Sequence, residues 1–281
     1  MRFTNILLAV FLLLPKVTFA AWGSGTGVAG TTEEVSDNSI SANIQITVNA
    51  GEVVALWAAT DNVDTTDGQT SLHQSVADSD LNSYTKWCEF TNSQGAAEAG
   101  ATISLWTAIS AGTLTAAVDS ITLTTASNVT DKVINVMSFT IGAGNVVSLA
   151  GTCKTLANDG ADAGSLTISG LSSAERLYIR GIATESNNAT SLTASTNFTL
   201  MKESAVPDGC ANTTGGGEAS DMGVCGEYRV NTSTGETSDP TLVDTSNDNA
   251  SIFIALIESA PPEPPSCAAG QSIALLGVGC R

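Results

Sequence analysis

The chain is 281 residues long and strongly acidic, with 28 Asp and Glu against 10 Lys and Arg, one histidine and a formal net charge of -18. That balance excludes a phosphate-backbone binder, whose affinity comes largely from Lys and Arg neutralising phosphates, and it equally opposes anionic membrane surfaces. No nucleic-acid partner is expected, and the length allows one large or two small domains.

Residues 1–20 contain the three parts of a cleavable secretory signal: the basic Arg2, the apolar run Ile6 to Leu14 and the exit Thr18-Phe19-Ala20. The run is too short for a bilayer, which takes about 20 residues. A secreted or extracellular protein beginning at Ala21 is therefore expected. A polar segment, 21–38, comes next. From Ser39 to Val48 apolar and polar residues alternate, with Ile40, Ala42, Ile44, Ile46 and Val48 on one side, which predicts a half-buried strand. After the turn Asn49-Ala50-Gly51, Glu52 to Thr60 reads as a more continuously apolar strand containing Val53, Val54, Leu56 and Trp57.

Further strands are predicted at Tyr84 to Thr91, Thr102 to Ile109, Ser120 to Thr125, Val133 to Ile141, Ser165 to Ser169, Leu177 to Thr184, Leu192 to Leu200, Val224 to Val230 and Ser251 to Glu258. The Gly, Asn, Asp and Ser between them supply turn chemistry. About eleven short strands, without a helical period anywhere, predict an all-β fold: an antiparallel β-sandwich of jelly-roll type. The preferred reading is one domain over 39–258; the alternative is two smaller sandwiches broken near Gly142 to Gly151. Past Glu258 the Pro-rich segment 259–266 reads as a stiff linker. The tail 267–281 holds a short apolar run flanked by Cys267 and Cys280, and reads as a disulfide-closed knob or an anchoring tag.

The six cysteines, Cys88, Cys153, Cys210, Cys225, Cys267 and Cys280, are even in number, and export permits disulfides. Six cysteines allow 15 pairings, so connectivity does not follow from sequence. Short local loops favour Cys210 with Cys225 and Cys267 with Cys280, which leaves Cys88 with Cys153. With no C-x2-C spacing and one histidine, a zinc site is not expected.

Candidate binding residues gather in Asp61-Asn62-Val63-Asp64-Thr65-Thr66-Asp67-Gly68, a loop rich in hard oxygen ligands. Calcium would suit such oxygens, although the spacing is not that of the helix-loop-helix calcium loop. Asn158 to Asp162 is a second oxygen-rich turn, and a solvated turn is the plainer reading of both. His73, in the polar run Gly68 to Asp80, reads as a loop residue. Without a G-x-S-x-G elbow it assembles no serine-hydrolase triad. Asp61, Asp64, Asp67 and His73 are thus the expected binding residues, with Asn212 to Met222 as a second recognition loop, because loops on a rigid scaffold are where binding resides. Trp57, Trp87 and Trp106 fall on predicted strands and read as core. Trp22, near the new N-terminus, reads as the free one.

Three turn-rich stretches, Glu89-Phe90-Thr91-Asn92-Ser93-Gln94-Gly95-Ala96-Ala97, Ala157 to Leu166 and Gly235 to Leu242, resemble β-rich proteins of tailed bacteriophages and marine viruses regarded as virion structural or appendage proteins. That resemblance implies a non-catalytic structural component; the secretory signal is a departure from it. Pro262-Glu263-Pro264 followed by Leu275-Leu276-Gly277 and Arg281 is similar to the PEP-CTERM sorting tags of exported bacterial proteins, though the apolar run is shorter. The combined expectation is a non-enzymatic exported structural or surface-recognition protein, on a virion appendage or a cell surface, whose partners are glycans or cell-surface molecules. One alternative is a secreted carbohydrate-active hydrolase using a pair among Glu89, Glu185 and Glu227, or a carbohydrate-binding module. The other is a self-associating fibre or surface-layer subunit.

Overall fold

The computed structural model describes residues 21–159, 162–185, 191–202, 209–212, 221–243 and 248–261. The signal, the tail with Cys267 and Cys280, most of the Pro-rich linker and residues 213–220 of the second recognition loop lie outside the described residues.

Among those residues there are nineteen strands and no helix. The first half comprises β1 (Thr26–Glu33), β2 (Asp37–Asn43), β3 (Val53–Asp61), β4 (His73–Asp78), β5 (Thr85–Asn92), β6 (Ala101–Ile109), β7 (Ser120–Val129) and β8 (Lys132–Phe139). The second comprises β9 (Val146–Leu149), β10 (Lys154–Asp159), β11 (Leu166–Ile168), β12 (Ala174–Glu185), β13 (Ser191–Thr193), β14 (Thr199–Leu200), β15 (Cys210–Asn212), β16 (Met222–Ser233), β17 (Glu236–Ser238), β18 (Thr241–Val243) and β19 (Asp248–Ser259).

The antiparallel β-sandwich is present, and its jelly-roll order occurs twice. A five-stranded sheet, β1-β8-β3-β6-β5, faces a three-stranded sheet, β2-β7-β4. In the second half β10-β19-β12-β16 repeats β1-β8-β3-β6 strand for strand, with β14, β15 and β9 added at its margins. The facing layer there is two ribbons, β11-β17 and β13-β18. These match β2-β7-β4 with the central strand split at Asp239-Pro240, where Pro240 removes a ladder donor. The change of half falls between Phe139 and Val146.

The two large sheets pack on each other, so four layers stack. One core lies between the large sheets and takes Val53, Ala55, Trp57 and Ala59 of β3 against Ile179, Val224, Ile252 and Ile254. A second lies between the first large sheet and β2-β7-β4, where Val54, Leu56 and Ala58 meet Ile40, Ile121 and Leu123. Smaller clusters sit beneath the ribbons, around Ile182 with Leu192 and around Tyr178 with Leu166 and Phe253. This stacking explains the two sequence patterns. All nine residues of β3 are buried because both its faces are covered, whereas β2, in an outer layer, alternates. Ile46, placed on the inner side by that alternation, lies beyond the end of β2 and is 44% exposed.

Trp57 locks the two large sheets together. Its indole is fully buried and donates from Nε1 to the Arg180 carbonyl at 3.1 Å. The ring lies over Gly181 and Gly226, a cross-strand pair of β12 and β16. A Cβ at Gly226 would come 2.9 Å from the Arg180 oxygen and 3.2 Å from Trp57 Nε1, so the slot exists only because both residues lack side chains. Burying an indole contributes roughly 4 to 6 kcal/mol at ~25 cal/mol per Å².

Among the described residues two disulfides form. Cys210–Cys225 closes a local loop between β15 and β16, and Cys88–Cys153 ties β5 of the first half to the start of the second. Such bonds form and persist in an oxidising compartment.

The strand count exceeds the predicted eleven for identifiable reasons. The stretch Leu192 to Leu200 is two strands, β13 and β14. Seven further strands fall outside the predicted segments; among them β1 lies within the segment 21–38, β4 within the run Gly68 to Asp80, and β10 runs into Asn158-Asp159. Trp22 is not free; it is 5% exposed, packs edge-on against Phe139, and its backbone N–H donates to Glu175.

Candidate functional site

The four residues expected to bind together are separated by the sheet. Asp61 is the last residue of β3 and lies on the face turned to the second half, while its neighbour Thr60 lies on the opposite face and contacts His73. His73 is a strand residue with no exposed surface. Its ring is held between Thr60 Oγ1, 3.0 Å from Nε2, and Ser104 Oγ, 2.6 Å from Nδ1. Burial lowers its pKa to about 4, with Lys86 acting in the same direction and Glu89 opposing, so it is a neutral core group. Asp67 is exposed, but its Oδ1 accepts from the Ser93 N–H and hydroxyl, which ties two loops together. Asp64 is half-buried, and its carbonyl accepts from Asn62.

Asn62, which sequence reasoning passed over, organises this loop. Its Nδ2 donates to the Asp64 and Ala96 carbonyls, and its Oδ1 accepts from Ala99 and Gly100. An Asn two residues before an Asp in a turn was the available signal, because its amide can satisfy several backbone groups at once.

The structure instead brings together acids from distant parts of the chain, at the end where β3, β12 and the starts of β8 and β16 meet. One carboxylate oxygen from each of Glu34, Asp131 and Asp221 lies within 4.8 Å of the others, with Glu34 exposed and the other two buried. Asp61 adjoins them: its Oδ2 accepts the Asp131 N–H at 3.3 Å. Burial pushes the Asp61 carboxyl up to about 7, and the charges of Asp131, Glu185 and Glu98 add to the rise. Burial likewise raises Asp131 to about 6, helped by Glu34 and Asp221, and Glu185 to about 7, helped by Asp248. Lys132, beside them, is fully buried and directs its ammonium to the Val35 and Val129 carbonyls and Asp37. Three carboxylate oxygens at this spacing could hold a hard divalent cation such as calcium, which takes oxygen ligands at about 2.3 to 2.6 Å. They do not come from the loop in which the sequence placed its oxygen ligands.

The opposite end of the sandwich has another character. A groove of about 370 Å³ opens there on the seam between the halves, with Leu81, Ser83, Thr85, Trp87 and Ile109 on one side and Val146 on the other. Trp87 is half-buried, and its Nε1 donates to Thr107 Oγ1 at 2.7 Å, which sets the plane of the ring. Cys88, the next residue, carries the disulfide that joins the halves beside the groove. Leu81 is 86% exposed and has a φ of 57°, a left-handed conformation costing a branched residue about 1 to 3 kcal/mol. Asp78 holds that turn in place. Its Oδ1 accepts from the backbone of Asp80 and Asn82, and its Oδ2 from the Asn82 amide and the Tyr84 hydroxyl. Asn82 in turn accepts from the Ala111 N–H at 2.7 Å, which fastens the turn to the loop after β6.

The three glutamates considered for sugar hydrolysis are kept apart: Glu89 is on the first large sheet, and Glu185 and Glu227 are on opposite faces of the second. Glu89 is buried beside β4 and accepts from the Leu72 and His73 N–H groups and Lys86. Glu227 is buried under the outer ribbons and accepts from Ser195 and Ser238, while Glu185 lies at the acidic end. No protein family, curated protein or solved structure matches this chain.

Proposed function

We propose that this protein is an exported, non-enzymatic structural or surface-recognition component, working on a virion appendage or outside a bacterial cell. The observation that carries the reading is the pair of jelly rolls packed through their large sheets and cross-linked by Cys88–Cys153, a rigid oxidised scaffold with loops at both ends. Such a body suits presentation of loops to a surface, because binding residues work best on elements that do not move. The secretory signal accounts for the oxidised cysteines, and the acidic surface favours solubility outside the cell.

Intact mass spectrometry of protein from its native source, with and without reduction, tests export. A chain starting at Ala21 with oxidised cysteines is the expected result; a chain keeping Met1 with free thiols would overturn it. Binding of labelled protein to the surfaces of cells or particles tests recognition. Failure to bind any surface would reduce the reading to a purely structural one.

A further inference from the structure

We propose that the groove at the seam of the two halves is a binding site for a neutral saccharide, with Trp87 as its platform. This rests on the surface-recognition reading and names the ligand class for one of its loop ends. The lining combines an indole and aliphatic groups with the exposed hydroxyl side chains of Ser83 and Thr85, and among the described residues it includes no charged side chain. On a chain of net charge -18, an uncharged cleft is a local exception that favours neither cationic nor anionic ligands. A pyranose ring has the matching chemistry: an apolar C–H face to lie on an aromatic ring and hydroxyls at its edge.

Size and rigidity agree with that assignment. A volume of about 370 Å³ falls at the lower end of ligand sites, which span about 300 to 1,000 Å³ and favour seams between domains. The indole N–H is already committed to Thr107, so the ring is oriented before any ligand arrives. The rim is held by the four bonds that Asp78 accepts, and it presents Leu81 to solvent from a strained backbone. Strain of that kind persists only where the surroundings over-determine it, and it gathers at ligand clamps. An apolar peptide or a second copy of the chain would find little use for the hydroxyl rim, and both serve as competing outcomes of the test.

The test is an array of neutral and anionic glycans probed with the disulfide-intact mature chain, followed by calorimetric titration of the neutral glycans that score. Trp87→Ala and Trp87→Phe remove and shrink the platform. Ser83→Trp fills the groove from an exposed position and leaves the core untouched. Neutral glycans should bind the wild type, at least tenfold more weakly Trp87→Ala and Ser83→Trp, and to an intermediate degree Trp87→Phe. Binding confined to anionic glycans, binding unchanged in Ser83→Trp, or a groove occupied by peptide or by self-association alone would overturn the assignment. A protein that binds cell or particle surfaces but no neutral glycan overturns the groove and keeps the recognition reading. A protein that binds neither sinks both.

Discussion

The acidic end makes stability depend on pH in a direction opposite to ordinary acid denaturation, and Asp61→Asn isolates the effect. In the folded protein Asp61 holds its proton up to about pH 7, whereas the unfolded chain releases it near the ordinary value of 3.8. Between those values the folded state binds more protons than the unfolded one, so raising the pH removes stability, and the loss levels off above 7. A gap of about 3 units corresponds to about 4 kcal/mol at ~1.4 kcal/mol per unit. An Asn keeps a carbonyl oxygen for the Asp131 N–H but has no charge to bury. Allowing about 1 kcal/mol for imperfect replacement of the hydrogen bond, Asp61→Asn should be more stable than wild type by roughly 2 to 3 kcal/mol at pH 8. At pH 4 the two should be nearly equal. Urea unfolding of both proteins at pH 4, 6 and 8 measures this directly. A difference that does not change with pH, or a variant less stable than wild type at pH 8, would refute the reasoning by showing that the folded state tolerates or favours the anion.

His73 should contribute a limb of opposite sign: with its folded pKa near 4 against 6.5, stability falls by ~3 kcal/mol as pH drops through that window. An NMR titration showing its imidazole still neutral at pH 5 checks the cause. Replacing Cys88 and Cys153 together by Ala should cost about 4 kcal/mol, and replacing Cys210 and Cys225 about 3 kcal/mol, because the bonds close loops with sequence separations of 65 and 15 residues. Denaturant midpoints of the two double variants test that order. Gly226→Ala should lower stability by about 1 to 3 kcal/mol through overpacking against Trp57 and the Arg180 carbonyl, measured as a fall in Tm. Asp78→Ala leaves four donors without their acceptor; faster amide hydrogen exchange across residues 79–84 is the expected sign.

Much of the fold was legible because burial leaves a periodic trace. The eleven predicted segments all contain strand, and the run Glu52 to Thr60 looks more continuously apolar because it lies in a sheet covered on both faces. The strands that escaped, such as β1, β4 and β10, each carry a single large apolar residue, Val28, Val76 and Leu156, and their pairing partners rather than their own residues make them strands. Likewise, the repeat of jelly-roll order left no sequence period, since loop lengths and side chains differ while strand order does not.

By itself the sequence determined the all-β class, the strand-and-turn rhythm and the supply of cysteines, because these depend on local periodicity, turn chemistry and composition. The tertiary structure alone decided that His73 is core and Trp87 is groove, and that Glu34, Asp61, Asp131 and Asp221 share one end. Each of those outcomes depends on which strands become neighbours, and strand order is set by long-range pairing that no short window of residues encodes.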